Sequence, residues 1–324
     1  MNRRAAMLLS LVAALMPAAP ADAQPIAAGR PINLYVGFAA GGPADLLARI
    51  VAERLQEQLG QPVVVQNRGG AGGTIAAAAV AKTRPDGTSL LLVTSGHTGA
   101  PALYRNLPFD NQKDFSPIIA LAQSPVVLLA DSKSPHRDIQ GLVAAAKSNP
   151  GKLNFGTGGG GATLTALAAV LLCRDLAIDA VAINYPGSGP ANIALTSGTI
   201  DFSFDIVSGA MGLLTAGTVR GLAVTSPHRS SALPDVPTVA ETVRPGFDVT
   251  GWFGILAPAG MEQSLVDQLN AEFARILASP PLKARLATLG IDPIGGTPQQ
   301  FADLIAAETT RWGGLIRELG LKVD

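Results

Sequence analysis

Apolar and polar positions change period several times along the chain, and each change marks an element boundary. Pro31 to Phe38 reads as a strand. From Asp45 the pattern turns helical: Leu47, Val51, Leu55 and Leu59 recur every four residues, with Leu46 and Ile50 widening the stripe. Gly60 ends this helix and Pro62 lies just beyond. Val63 to Val65 is a β-branched apolar run, as in a buried parallel strand. Asn67 to Gly73 is a glycine-rich turn, followed by an alanine-rich helix to about Lys82. Pro85-Asp-Gly87 is a turn, and Ser89 to Val93 another buried strand. The order β-α-β-α-β predicts a parallel sheet with helices on both faces.

The middle of the chain repeats this alternation. Ile118 to Leu121 and Val126 to Ala130 are two extended runs, and a helix spans Ile139 to Ser148. Leu153 to Phe155 is a strand before the helix Thr163 to Cys173. Ala180 to Asn184 is a strand before a helix at Ala191 to Thr196, and strands follow at Thr199 to Phe204 and Gly221 to Thr225. Past Pro227 the pattern is different. Prolines punctuate irregular connections, Phe247 to Leu256 is extended, and helices follow at Leu265–Leu277, Leu282–Leu289 and Pro298–Leu319. These helices have no strands of their own to cover, so they return to the first half. Two lobes result, 25–123 plus 228–324, and 124–227 inserted between them, with two chain crossings at Gln123 and Pro227 forming a hinge.

Three glycine-rich turns connect a strand to a helix: Phe38 to Asp45, Gly156 to Gly161 and Tyr185 to Pro190. The first backbone N–H groups of a helix have no partner within it, and together with the helix dipole they attract an anion. The N–H groups of Gly41, Gly42, Ala44, Gly187, Ser188 and Gly189 are the candidate donors.

Composition narrows the setting. Asn2-Arg3-Arg4, the apolar run Ala5 to Met16 and Ala21-Asp22-Ala23 form a secretory leader, residues 1–24, cut near Gln24. An exported, periplasmic chain is expected. Lys+Arg and Asp+Glu are 24 each, so neither nucleic acid nor an anionic membrane is an expected partner. Cys173 is the single cysteine and lies in an apolar run, as an inert thiol.

Side-chain chemistry is sparse. Gly156-x-Gly158-x-x-Gly161 matches a dinucleotide fingerprint, but neither Asp175 nor Asp179 ends a second strand as a ribose-binding acid should. Ser188 lies between glycines, yet Pro186 breaks the Gly-x-Ser-x-Gly frame. His97, His136 and His228 have no metal-ligand spacing, and His97 reads equally as a ligand contact or a plain loop residue. No catalytic residue, metal or cofactor is expected. Asp45 falls in the first turn of a helix, where the dipole stabilises it; it also suits ordering of the loop or contact with a donor group of a ligand. Asp205 is either a helix N-cap or a ligand contact.

The chain resembles the Bug (TctC-like) solute-binding proteins of tripartite tricarboxylate transporters over its whole mature length, from Ile32 to Leu319. The markers are Phe38-Ala-Ala-Gly-Gly-Pro-Ala-Asp-Leu-Leu-Ala-Arg49, Gln61-Pro-Val-Val-Val-Gln-Asn-Arg-Gly-Gly-Ala-Gly-Gly73, Pro85-Asp-Gly87, Tyr185-Pro-Gly-Ser-Gly-Pro190 and Leu233-Pro-Asp-Val-Pro-Thr-Val-Ala-Glu241. The resemblance implies an α/β, two-lobed Venus-flytrap, each lobe a mixed, mostly parallel sheet flanked by helices. It implies a small organic carboxylate as ligand, subunits of a tripartite-type membrane transporter as partners, and a monomer. In the family one turn holding the carboxylate matches Phe38, Ala39, Gly41, Gly42, Ala44 and Asp45, and another matches Tyr185, Gly187, Ser188, Gly189 and Pro190. Positions matching Ser95, Thr157, Gly158 and Asp205 shape the rest of the pocket. The chain departs from the family where a threonine is replaced by Ala44, where Pro43 lacks an N–H, and where a histidine is replaced by Thr165. A sensor feeding a membrane receptor and an exported carboxylate-processing enzyme are the alternative outputs of such a chain.

Overall fold

The computed structural model describes residues 26–158, 163–185 and 187–322. The leader, residues 159–161 of the second glycine turn and Pro186 lie outside the described residues. The first half runs β1 (Ile32–Val36), α1 (Pro43–Leu59), β2 (Val63–Asn67), α2 (Thr74–Val80), β3 (Ser89–Thr94) and α3 (Gly96–Leu103). The long β4 (Phe115–Asp131) leads into α4 (Ile139–Ser148), β5 (Asn154–Gly158), α5 (Leu164–Asp175) and β6 (Val181–Tyr185). Then come α6 (Ser188–Thr196), β7 (Phe202–Ile206), α7 (Val207–Thr215) and β8 (Val219–Val224). The last part is α8 (Val239–Thr242), β9 (Thr250–Pro258), α9 (Gln263–Ala278), α10 (Pro280–Thr288), β10 (Asp292–Gly295) and α11 (Pro298–Glu318).

The strands follow the order β2-β1-β3-β9-β4-β7-β5-β6, with β8 and β10 also paired to β4. The outer groups β2-β1-β3 and β7-β5-β6 are parallel, as the strand–helix alternation predicts. The centre is antiparallel, because β9 returns late in the chain between β3 and β4. The two extended runs in 118–130 are one strand of 17 residues. They read as separate because Ser124 and Pro125 interrupt them and because they serve different partners. Residues up to Pro125 pair with β9, and those from Val126 pair with β7 and β8. β4 is therefore the seam between two half-sheets.

The packing also moves the second crossing. Val239, Phe247 and Val249 share a core with Phe155, Phe202 and Phe204 of the second half. Thr238 bridges Val224, and the Val249 N–H donates to the Thr225 carbonyl at 3.0 Å. The chain returns to the first half at Thr250, not at Pro227, because its proline-rich connection carries α8 and stays on the second half.

Helix α11 belongs to both halves. Phe301 and Ile305 pack with Trp252 and Leu256, whereas Trp312 and Ile316 pack with Leu164, Phe247 and Val249. Sequence reading missed α3, α7, α8 and β10. Gly96, Gly99 and Pro101 give α3 poor intrinsic helicity. Tertiary contact holds it: a Cβ on Gly99 would lie 3.2 Å from Ile316 Cδ1, so glycine permits the close approach of α11. Cys173 is half-buried among apolar neighbours, and burial pushes its thiol up to about 11.

Candidate functional site

The expected site residues sit at the carboxyl ends of β1, β3, β5, β6 and β7, the edge where open α/β sheets bind ligands. The turn after β1 is wedged against the turn after β2. A Cβ on Gly37 would lie 2.5 Å from the Gly73 Cα, and Gly69 packs against the Ala39 backbone. Half-buried Phe38 leans on Gly73, while Ala39 is exposed.

Asp45 is the bolt of this turn. It is 3 % exposed, and its Oδ2 accepts from the Gly41 N–H (2.8 Å) and from Arg49 Nε (2.9 Å). Its Oδ1 accepts from the Asn67 amide at 3.0 Å, and the same amide reaches the Phe38 carbonyl at 3.1 Å. Burial alone would raise this carboxyl; the bonds from Arg49, Gly41 and Asn67 outweigh it and hold the group below the usual carboxylate range. One expectation is thereby corrected: the Gly41 N–H is not free for an anion, because Asp45 has taken it. Gly41 instead supplies the φ of +85° that bends the turn. Gly42 caps α1 without a side-chain bond and Pro43 follows, so the open donors at this helix end are on Gly42, Ala44 and Asp45.

Asp205 plays the matching part in the other half. It is 1 % exposed at the end of β7. Its Oδ1 accepts from Ser188 Oγ (2.7 Å) and the Ile206 N–H (2.8 Å), and its Oδ2 from Asn192 Nδ2 (3.0 Å). Ser188 and Asn192 are one turn apart on α6, so both reach the same carboxylate. Asp205 is thus neither a cap of α7, whose N-cap is Ile206, nor open to a ligand; it fixes the start of α6. Burial pushes its carboxyl up, and the bonds from Ser188, Asn192 and Ile206 only partly offset that. Gly187 is extended and caps α6 without a side-chain bond. Pro190 has no N–H, which leaves Ser188 and Gly189 as first-turn donors. The Ser188 hydroxyl proton is committed to Asp205, so this residue can offer an anion only its backbone N–H.

Other expected residues divide clearly. Thr157 is buried and donates to Asn184 Oδ1 at 3.1 Å, and Gly158 pairs with Tyr185 across β5 and β6. Half-buried Tyr185 lays its ring 3.2 Å from where a Gly156 Cβ would stand. Ser95 is buried where the halves meet. Its N–H donates to the Trp252 carbonyl, and its hydroxyl has no partner among the described residues. Gly251 faces it, and a Cβ there would meet Leu164 of the second half at 2.7 Å. Among the described residues no hydrogen bond joins the set around Asp45 to the set around Asp205. His97 is a core residue. It stacks on Phe109, meets Phe115 edge to face and bonds the Asn111 carbonyl at 3.0 Å; burial lowers its pKa to about 4. Thr165, where the family has a histidine, is buried at the start of α5 beside the hydroxyl of Thr163, the N-cap.

The supporting amides Asn67, Asn184 and Asn192 escaped the sequence reading. Only Asn192 left a signal there, its four-residue spacing from Ser188.

The profile described as "Tripartite tricarboxylate transporter family receptor" matches residues 47–321. A "UPF0065 protein in tcbD-tcbE intergenic region" of Pseudomonas sp. (strain P51) is 40% identical over 91% of this chain and 88% of its own length. Protein BugT of Bordetella pertussis is 35% identical over 100% of this chain and 99% of its own. Among solved structures, R. palustris Rpa4515 with adipate superposes with a TM-score of 0.85 at 33% identity, covering 91% of this chain and 99% of that one. MatC from Rhodopseudomonas palustris with bound malate gives 0.80 at 34% identity, covering 89% and 99%. The wedged turns, the two buried aspartates and these matches have one reading: the chain belongs to the tripartite tricarboxylate transporter receptor (TctC) family.

Proposed function

We propose that this chain is a periplasmic solute-binding protein that takes up a small organic carboxylate between its lobes and presents it to a membrane transporter of the tripartite type. The observation that carries the reading is the pair of helix starts, α1 and α6. Neither has a side-chain cap, and each is fixed by a buried aspartate. Such ends offer backbone donors to an anion. The adipate and malate bound by the two relatives are carboxylates, which supports the ligand class.

An ionised carboxylate has about four acceptor sites. The donors on Gly42, Ala44, Gly187, Ser188 and Gly189 suit it, with Ser95, Thr157, Gly158 and Tyr185 shaping the walls. Hydrogen bonds to a charged group contribute roughly 1.5–3 kcal/mol each. Three or four, less ordering costs, reach about 8 kcal/mol, or micromolar affinity. Arg49 neutralises Asp45, so the first turn does not repel the ligand. The lobes we take are residues up to 123 with those from 250 onward, and 126–249 between them. A ligand touching both favours the closed state by its differential affinity. Among the described residues no helix is long and apolar enough to cross a membrane.

The test is a thermal-shift screen of the mature protein against mono-, di- and tricarboxylates. A ligand at 100 times its dissociation constant adds about 2.7 kcal/mol of stability. A saturable rise in melting temperature confined to one carboxylate class is expected. No shift with any carboxylate, from protein shown by mass spectrometry to carry no co-purified ligand, would overturn the reading.

A further inference from the structure

The sheet narrows to two strands where the chain passes between the halves. Among the described residues β10 pairs with β4 only up to Gln123, β7 pairs with it from Val126, and β3 pairs with β9 from Phe253. Ser124 and Pro125 therefore have only Gly251 and Thr250 as strand partners. A two-stranded ribbon accepts more twist than a wide sheet, so the halves turn here. Thr225 keeps the two crossing strands together: its hydroxyl accepts from the Val126 N–H at 3.1 Å and donates to the Val249 carbonyl at 2.6 Å.

Two side chains of the second half bear on the first half beside this ribbon, each in a notch left by a buried glycine. A Cβ on Gly251 would lie 2.7 Å from Leu164 Cδ2. A Cβ on Gly290, just after α10, would overlap Val207 Cγ1 and lie 3.3 Å from the Val207 Cβ, with Ala232 also close. Leu164 and Val207 are the first residues of α5 and α7. Ser124, fully buried, touches both notches: its carbonyl oxygen lies 3.1 Å from where a Gly251 Cβ would stand, and its hydroxyl donates to the Gly290 carbonyl at 2.8 Å. Val207 is also tied to the cleft. It follows Asp205 by two residues, and the Asp205 carboxylate holds Ser188 and Asn192 of α6. Where Val207 bears on Gly290 thus decides where the α6 donors stand relative to those of α1.

We propose that Gly290 and Gly251 are positioning residues for the cleft: Val207 and Leu164 bear on them as pivots, and the absence of side chains there sets the angle between the halves. Close-packed interiors transmit such a contact as a displacement. The two notches differ in strictness. Valine is stiff at χ1, so an added methyl at Gly290 must move the second half itself. Leu164 reaches Gly251 with the end of a longer, more flexible side chain, which can swing aside from a small group. The inference rests on the two-lobed cleft proposed above and not on which carboxylate fills it.

Spin labels on Ile75→Cys and Ile193→Cys, in a Cys173→Ser background, test it in the ligand-free protein. Both isoleucines are exposed, Ile75 on α2 of the first half and Ile193 on α6 of the second. Gly290→Ala should shift the mean label separation in pulsed electron resonance, and adding Val207→Ala should return it toward the parent value. The melting temperature should not follow, because alanine at the Gly290 φ of +65° is strained with or without Val207. Gly251→Val should give a smaller shift, reversed by Leu164→Ala. An unshifted separation in a Gly290→Ala protein that still melts cooperatively overturns the proposal. So does a shift that Val207→Ala leaves in place. Should Gly290→Ala fail to fold, the Gly251→Val pair decides by the same two criteria. No carboxylate enters this measurement, so a blank thermal-shift screen and an unmoved label separation are separate failures.

Discussion

Asp45 and Asp205 are both buried aspartates beside glycine turns, yet their carboxyl groups are pushed in opposite directions. Asp45 has a guanidinium partner; Asp205 has only neutral donors. Asp45→Ala would leave the Gly41 N–H without its acceptor and the Asn67 amide with only the Phe38 carbonyl, a loss of ~1–3 kcal/mol. Urea denaturation should show this loss, and calorimetry should show weaker binding of whichever carboxylate the screen identifies. The pH dependence follows from the two directions. Asp45 binds protons less readily in the folded state, so its stabilisation is present above the ordinary value of 3.8 and is lost as pH falls below it. Asp205 binds them more readily folded, so its contribution improves as pH falls from above its raised value toward 3.8. Asp205→Asn removes that second dependence. The amide can be accommodated, because Asn192 Oδ1 is buried with no partner and can accept from it once Asn192 turns over. An unchanged or raised melting temperature at pH 7 is expected, with a flatter profile between pH 4 and 7. A drop of several degrees at pH 7 would show that the charge itself holds the turn.

At the scale of the element, the glycine turns were legible because glycine, proline and aspartate place turns and helix starts by local geometry alone. Gly187 lies at an extended φ with nothing within 4 Å of where a Cβ would stand, and Gly189 also has open space. Gly187→Val should therefore fold with an unchanged melting temperature while its side chain covers the donors of α6. A tenfold or greater loss of carboxylate affinity is the expected calorimetric result; equal affinity would remove this turn from the site. The residues that hold the turns were less legible. Asn67 acts on a helix and a turn and Asn184 on a neighbouring strand, all distant in sequence, and no local pattern announces such a partner. Helix α3 was hidden for the same reason. Its two glycines and a proline argue against a helix, and only its burial against α11 decides otherwise. Gly99→Leu should break that approach, lowering the melting temperature by several degrees although leucine is the better helix former.

At the scale of the whole molecule, alternation of strand and helix revealed the fold class and two halves. It did not reveal where the chain returns, since proline spacing marks a connection without saying which core it crosses. The place was set by Phe247 and Val249, apolar residues buried in the second half. Helix α11 makes a related prediction. Trp312 is buried in the second half's core although its helix begins on the first. Trp312→Ala should cost about 3–5 kcal/mol. Both halves should melt together at a lower temperature in calorimetry, and a scan in which only the second half moved would contradict the bridging role. The position of β9, between β3 and β4, also sets an order of events during synthesis. As the chain emerges from its N-terminus, residues 126–249 have all their own strands long before the first half has its central one. The first-made half must wait for a strand made after the whole of the second half, with the edge of β3 exposed. A chain stopped short of residue 250 would present that open edge to its neighbours, so truncated products should aggregate through the half that was made first.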